Sequence, residues 1–197
     1  MTLMHISLPD IILPPHIRDF IESGPQAFAS PEERVRFTIE LARLNTVEKT
    51  GGPFGAAVFE SRSGKLVAAG VNVVVTSSCS HAHAEMVAIL LAQQKLSTYD
   101  LGLSSLPDHE LVSSCEPCAM CFGAIIWSGV KKLVFGATGK TAKAAGFDEG
   151  PKPRLWIRAL EQRGIEVTPR VCCKEAEAIL ENYAASGGLI YNARKSR

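Results

Sequence analysis

The apolar residues of this chain fall in short β-rich runs that alternate with longer segments of helix-forming residues. Two β-rich runs, at 54–60 and 66–75, are joined by the turn sequence SRSGK and predict a β-hairpin. Apolar runs at 110–114, 132–137 and 165–171 predict three further strands. The pattern therefore predicts five strands in all.

The segments before and between these strands favour helices. Ser30, Pro31 and Glu33 supply an N-cap, a first-turn proline and a capping-box acid. Gly129 and Gly164 are placed to end two later helices. We predict helices at 16–22, 30–46, 83–95, 118–128, 153–163 and 174–186, with a loop at 138–152.

Strands that alternate with helices after an initial hairpin indicate an α/β fold, with a mixed sheet and helices on both of its faces. The chain contains no internal repeat, low-complexity tract or Gly/Ser/Pro-rich linker. We therefore predict one domain over 1–197, with an N-terminal helical extension at 1–50. Trp127 and Trp156 lie among apolar neighbours on predicted helices, and we expect both in the core.

Composition excludes several classes of protein and partner. The 197 residues carry 21 Lys and Arg against 20 Asp and Glu, a balance that argues against a broad phosphate-binding face, so no nucleic-acid partner is expected. No apolar run approaches the ~20 residues of a membrane-spanning helix, so no membrane association is expected. The first fifteen residues lack a basic leader and a small-residue cleavage site, which predicts a cytoplasmic protein.

Two short segments, HAE at 83–85 and PCAMC at 117–121, carry the candidate chemistry. Cys118 and Cys121 are three residues apart, so in a first helical turn both sulfurs can reach one ion. The imidazole of His83 would be a third ligand. Because three protein ligands leave one position open, we predict a catalytic Zn²⁺ site with one ion per chain. Predicted helix N-termini at both segments favour bound thiolates.

Glu85 stands two residues after His83. On a regular helix that spacing would direct the two side chains to different faces. At the first turn, however, side chains can lean past the end of the helix and reach the same small space. A carboxylate beside a zinc-bound water can carry its proton to a substrate, so we predict Glu85 as a general acid and base.

The cysteine pattern also permits other interpretations. A CxxC pair alone is compatible with a structural zinc knuckle or a redox pair. With Cys115 the pattern becomes CxxCxxC, which resembles part of an iron-sulfur ligand run, although a fourth cysteine is missing nearby. We expect Cys115 to be a small buried residue at a strand end. A zinc-stabilised binding module without catalysis would need a fourth ligand, for example Cys115 or Cys79.

HxE followed by PCxxC is the signature of zinc nucleobase deaminases, and the chain resembles the cytidine/deoxycytidylate deaminase superfamily. The resemblance covers most of 50–150, including GGPFGAAVF, VNVVV and SCEPCAMCFGAI. It implies a three-layer α/β/α sandwich around a five-stranded mixed sheet. Within the superfamily, AGFDE at 145–149 looks most like the FDD-type loop of bacterial guanine deaminases, with Glu149 where those enzymes usually have Asp.

The resemblance also implies roles for residues around a purine base. Phe54 and Phe147 would contact its flat faces, Asn72 would hydrogen-bond its polar edge, and the Ala84 backbone would help to orient it. Glu149 would be a second proton carrier near the leaving amine.

The reaction implied is hydrolysis of guanine to xanthine and ammonia. Water activated by zinc would attack C2, and Glu85 would move its proton to a ring nitrogen. Glu149 would help to protonate the departing ammonia.

Gly187 and Gly188 precede the apolar residues Leu189, Ile190 and Tyr191. The resemblance implies a C-terminal lid at 187–197 containing Tyr191, and a homodimer. The basic tail at 193–197 is expected to be a solvated terminus.

Other substrates remain open at this point. A tRNA adenosine deaminase shares HAE and PCxxC but needs a basic groove, which the near-neutral charge disfavours. Cytosine, cytidine and triazines are further candidates within the superfamily.

Overall fold

The computed structural model describes residues 11–192. Within that range, helices and strands follow the alternation predicted from the sequence. In chain order they are α1 (Pro15–Ser23), α2 (Pro31–Val47), β1 (Gly55–Glu60), β2 (Leu66–Val71), α3 (Ala84–Lys95), β3 (His109–Cys115), α4 (Ala119–Ser128), β4 (Lys132–Ala137), α5 (Gly139–Ala144), α6 (Trp156–Glu161), β5 (Glu166–Thr168) and α7 (Cys173–Ala185).

The five strands form one mixed sheet in the order β2-β1-β3-β4-β5. β1 is antiparallel to both β2 and β3, while β3, β4 and β5 are parallel to one another. The register pairs Gly55 with Val71 and Cys115 with Ala137. The start of β1 and the ends of β2, β3 and β4 therefore share one edge of the sheet.

Successive strand residues face opposite sides of the sheet and fill two cores. On β1, Ala56 and Val58 belong to one core, and Ala57 and Phe59 belong to the other. The first core is covered by α3, α4 and α6, and the second by α1, α2, α5 and α7. This arrangement confirms the predicted α/β/α sandwich with a five-stranded mixed sheet.

Helix α2 begins as its sequence predicts. The Ser30 hydroxyl accepts a hydrogen bond from Glu33 N at 3.2 Å, and the Glu33 carboxylate accepts one from Ala29 N at 2.8 Å. Pro31 occupies the first helical position, where no N–H is needed. The helix packs against β1 and β3, so part of the 1–50 segment belongs to a layer of the sandwich. Residues 1–10 of that segment lie outside the described residues.

Several predicted bounds differ from the structure. β5 covers Glu166–Thr168 rather than 165–171, and Arg170, two residues after its end, has a left-handed φ of +64°. β2 ends at Val71, because Asn72 turns the chain by accepting a hydrogen bond from Val74 N on its side-chain oxygen. The predicted loop at 138–152 contains α5, whose N-cap Thr138 accepts from Thr141 N. Helix α6 begins three residues later than predicted, after Pro153.

Helix α4 ends at Gly129, which has a left-handed φ of +84°, as predicted. Its Trp127 was expected in the core but is 84% exposed, whereas Trp156 is partly buried and packs against Phe135. Among residues 11–192, no helix is both long and apolar enough to span a membrane.

A buried ion pair joins the second core to the central strand. Arg34 on α2 and Glu110 on β3 are 7% and 2% exposed, with 2.5 Å between Nη1 and Oε1. Arg34 also donates to the backbone oxygens of Phe28 and Ser61. The guanidinium therefore fastens the loops that flank α2 and β1 to the sheet.

Replacing Arg34 with Met should lower the free energy of unfolding by about 3–5 kcal/mol, because Glu110 then keeps a buried charge without a partner. The matched control is Arg36→Met, which breaks an exposed pair with Glu175 and should leave the free energy of unfolding almost unchanged. Urea denaturation of both variants measures the difference. Equal losses would contradict a special role for the buried pair.

Candidate metal centre and adjoining cavity

Three soft donor atoms meet where α3 and α4 begin. His83 is the N-cap of α3, Cys118 is the N-cap of α4, and Cys121 lies in the first turn of α4. His83 Nδ1 lies 3.5 Å from Cys118 Sγ and 3.7 Å from Cys121 Sγ, and the two sulfurs are 3.6 Å apart. The structure thus brings together the three ligands predicted from the sequence.

These separations fit a tetrahedral zinc ion. With Zn–S near 2.3 Å and Zn–N near 2.0 Å, tetrahedral angles require about 3.8 Å between sulfurs and about 3.5 Å between sulfur and nitrogen. Among residues 11–192, only these three His, Cys, Asp or Glu side chains form a mutually close donor group. Cys115 and Cys79 lie outside it, so neither supplies the fourth ligand that a closed zinc site or an iron-sulfur cluster would need.

The electrostatics of the centre favour thiolate. The hydrogen bond between Cys118 and Cys121, followed by the contact with His83, lowers the pKa of Cys118 to about 4. Both thiols also lie at a helix N-terminus, where the helix dipole favours negative charge. The same hydrogen bond raises the pKa of Cys121, so the two sulfurs share one thiolate, which attracts a divalent cation.

Glu85 lies in the first turn of α3 and is 6% exposed. Its Oε1 is 3.4 Å from the hydroxyl of Ser113, which donates to it. Burial raises the pKa of Glu85, with the Cys118 charge as the next cause. Ala84, also buried, is the first residue of α3, so its N–H has no acceptor within the helix.

A cavity of about 990 Å³ opens beside the metal centre. Of the residues predicted from sequence, Asn72, His83, Phe147 and Glu149 line it. Phe54 instead packs edge-on against Phe147, with ring centroids 4.8 Å apart and an angle of 76° between the rings. The volume lies at the upper end of the roughly 300–1,000 Å³ typical of small-molecule sites.

Glu149 is the most unusual group in the cavity wall. The side chain is 6% exposed, and its buried Oε2 has no hydrogen-bond partner among the described residues. Burial, followed by the Cys118 and Glu85 charges, raises the pKa of Glu149 to about 8. Its backbone oxygen accepts from Ala119 N at 2.9 Å, which ties the Glu149 loop to the start of α4.

Sequence reasoning missed Lys152, which fixes the same loop at a second point. Its Nζ donates to Glu116 Oε1 at 2.5 Å and to Pro117 O at 2.6 Å, and lies 4.6 Å from the centre of the Trp156 ring. In the sequence, the segment PKP at 151–153 predicts only a turn. Nothing in it indicates that the side chain of the lysine is largely shielded from solvent. The lysine joins the Glu149 loop to the segment that carries Cys118.

The chain after α7 covers the open side of the cavity. Tyr183, also missed from sequence, stacks on Phe147 at 6.2 Å and donates from its hydroxyl to Leu189 O. The Asn192 side chain accepts from Asp148 N at 2.8 Å and donates to Gly146 O at 2.9 Å. Leu189, Tyr191 and Asn192 line the cavity. Residues 193–197 of the predicted lid lie outside the described residues.

Comparison with known proteins matches residues 30–137 to the cytidine and deoxycytidylate deaminase zinc-binding region. A solved structure of the guanine deaminase from Nitrosomonas europaea is 49% identical, with a TM-score of 0.87, and the match covers 92% of this chain and 99% of that one.

Two further proteins match over part of their length. The guanine deaminase of Bacillus subtilis is 43% identical over 99 residues, which are 50% of this chain and 59% of that protein. A tRNA-specific adenosine deaminase from Buchnera aphidicola is 33% identical over 132 residues, which are 66% of this chain and 79% of that protein.

We expect the purified chain to contain one zinc ion, and Cys118→Ser to contain almost none, because removing a thiolate leaves only two donors. The control is Cys115→Ser, a buried cysteine outside the donor group, which should keep its zinc. Elemental analysis by mass spectrometry measures both. Loss of zinc from the Cys115 variant, or iron in the wild type, would contradict this donor set.

Proposed function

We propose that this chain, which belongs to the cytidine and deoxycytidylate deaminase family, hydrolyses guanine to xanthine and ammonia. The observation that carries the proposal is the cavity, where a three-donor metal centre adjoins Glu149 Oε2, a buried carboxylate atom with no hydrogen-bond partner among residues 11–192. The likeness to the Nitrosomonas enzyme over nearly the whole chain favours guanine among the possible bases.

His83, Cys118 and Cys121 would hold the zinc ion. When bound, zinc lowers the pKa of a coordinated water and so supplies a nucleophile near neutral pH. Three protein donors, rather than four, are what this chemistry requires.

Glu85 would take the proton of the attacking water and deliver it to a ring nitrogen of the base. Its burial in the first turn of α3, two residues from His83, supports this role. The raised pKa also supports it, since a carboxylate with higher proton affinity is a better base.

Glu149 would protonate the amino group on C2, which then leaves as ammonia. Its Oε2, which has no hydrogen-bond partner in the described part of the chain, can contact a ligand, and a pKa of about 8 allows the carboxyl to hold a proton at neutral pH. Two carboxyl groups in different environments can then divide the proton transfers: Glu85 accepts the proton of the water, and Glu149 donates a proton to the leaving group.

The base would lie against the ring of Phe147, and Phe54 packs edge-on against the same ring. Asn72 accepts from Val74 N on its side-chain oxygen, so its amide NH₂ remains to donate to an acceptor on the base. The N–H of Ala84 would be a second donor, since no helical acceptor uses it.

We also propose that residues 187–197 form the lid of this site, within one domain that spans 1–197. The hydrogen bonds of Asn192 to the backbone on either side of Phe147, and the position of Tyr191 in the cavity wall, support the proposal.

A homodimer is the assembly we propose. The outward face of α4 supports it, because Trp127 is 84% exposed, Met120 is 36% exposed, and a Cβ on Gly123 would meet no atom within 4 Å among the described residues. Apolar faces of this kind commonly mark an interface.

We propose that the protein acts in cytoplasmic purine metabolism, where a free base is available as substrate.

Ammonia release should be measured over a panel of guanine, adenine, cytosine, cytidine and tRNA, with guanine expected to react fastest. Glu85→Gln should lower kcat for guanine by about 10³-fold and Glu149→Gln by about 10²-fold, because each removes a proton carrier. Zinc content should stay unchanged in both.

The control for this experiment is Glu161→Gln, an exposed acid on α6 that should leave turnover unchanged. Faster turnover of tRNA or cytosine than of guanine would overturn the proposed substrate. Unchanged turnover in either carboxylate variant would remove that residue from the mechanism.

Ending the chain at Ser186 should raise KM for guanine about tenfold and lower kcat, because Asn192 no longer fixes the backbone beside Phe147. A chain ending at Asn192 is the matched control and should behave as wild type. Steady-state kinetics, with melting temperatures recorded alongside, test this expectation. If the chain that ends at Ser186 kept the wild-type KM and kcat, the proposal of a lid would be contradicted.

A further inference from the structure

We propose that Asn45, a residue of α2, is a positioning residue that holds Asn72 and the adjacent glycine turn in the cavity wall. This inference rests on the proposed function, since Asn72 is the residue proposed to recognise the base. Asn45 lies in the layer of helices behind the wall and is fully buried. It therefore acts through its neighbours.

Every polar group of the Asn45 side chain forms a hydrogen bond with a residue of that wall. Its Nδ2 donates to Gly52 O and to Asn72 O, both at 2.9 Å. Its Oδ1 accepts from the Thr50 hydroxyl at 2.7 Å. Thr50, Gly52 and Asn72 all line the cavity. One buried carboxamide thus links two separate segments of the chain at the substrate side.

The segments it links are in direct contact. A Cβ placed on Gly51 would lie 1.8 Å from Asn72 O and 2.7 Å from Asn45 Nδ2, so glycine is required there by the close approach of the backbones. The Asn72 backbone also donates to Phe54 O at 3.1 Å. Asn72 is therefore held from two sides, by Phe54 just before β1 and by Asn45 on α2.

Only asparagine suits this position in α2. Two N–H donors face two carbonyl oxygens, and one oxygen faces a hydroxyl donor. Aspartate has nearly the same shape but would turn an acceptor toward the two carbonyls. The repulsion and the two unpaired buried oxygens would displace the Asn72 backbone. Misplacement of a binding group by about 1 Å can cost 10²-fold in rate or binding.

The test is Asn45→Asp in the full-length, zinc-loaded chain. We expect KM for guanine to rise at least about tenfold, while kcat changes less than about threefold, since the zinc ligands and both proposed proton carriers are untouched. Calorimetry should show a matching rise in the Kd of xanthine, which binds without turnover. Zinc content should equal that of the wild type.

Ser128→Ala is the matched control, because it removes a buried hydroxyl that donates to Ile125 O in α4, away from the cavity. It should lower the melting temperature without changing KM. Unchanged KM and Kd in Asn45→Asp, or equal changes in both variants, would overturn the positioning role. A wild type that binds xanthine but releases no ammonia from guanine overturns the proposed function alone.

Discussion

The candidate site depends on how the strands pair. β1 runs antiparallel to its neighbours, while β3 and β4 run parallel, so one edge collects the start of β1 and the ends of the other three strands. The chain leaves that edge into α3, α4 and the Glu149 loop. Two helix N-termini are thereby directed at one point, where their unpaired N–H groups favour thiolate.

Packing so many acids at that edge has an electrostatic consequence. The Cys118 charge raises the pKa of both Glu85 and Glu149, Glu85 also raises the pKa of Glu149, and burial removes the water that would screen these charges. Lys152 offsets part of this charge at Glu149 but is itself paired with Glu116. These buried acidic groups therefore do not stabilise the fold by themselves. The arrangement is well suited to a divalent cation and to carboxyl groups that exchange protons near neutral pH.

Local signals were sufficient for most of the fold. The cap at Ser30, the stop at Gly129 and the HAE and PCxxC segments each act within one turn of helix, so the sequence alone predicted α2, α4 and the three donor atoms that meet between α3 and α4. What could not be predicted depends on residues distant in the chain. Nothing near Lys152 indicates that it binds Glu116, and nothing near Trp127 indicates that its side chain is exposed. Such properties arise only from the packed tertiary structure.

The two sides of the cavity are fixed in physically different ways. On one side, Asn45 on α2 holds the cavity wall that contains Asn72. Its hydrogen bonds are shielded from water, so breaking them would require α2 to separate from the sheet. On the other side, Asn192 holds the loop of Phe147 through two hydrogen bonds at the surface, which exchange readily with water. Elements with few buried contacts open at lower free energy than core helices. Substrate entry by opening the C-terminal side, against a rigid Asn72 wall, is the motion that this asymmetry favours.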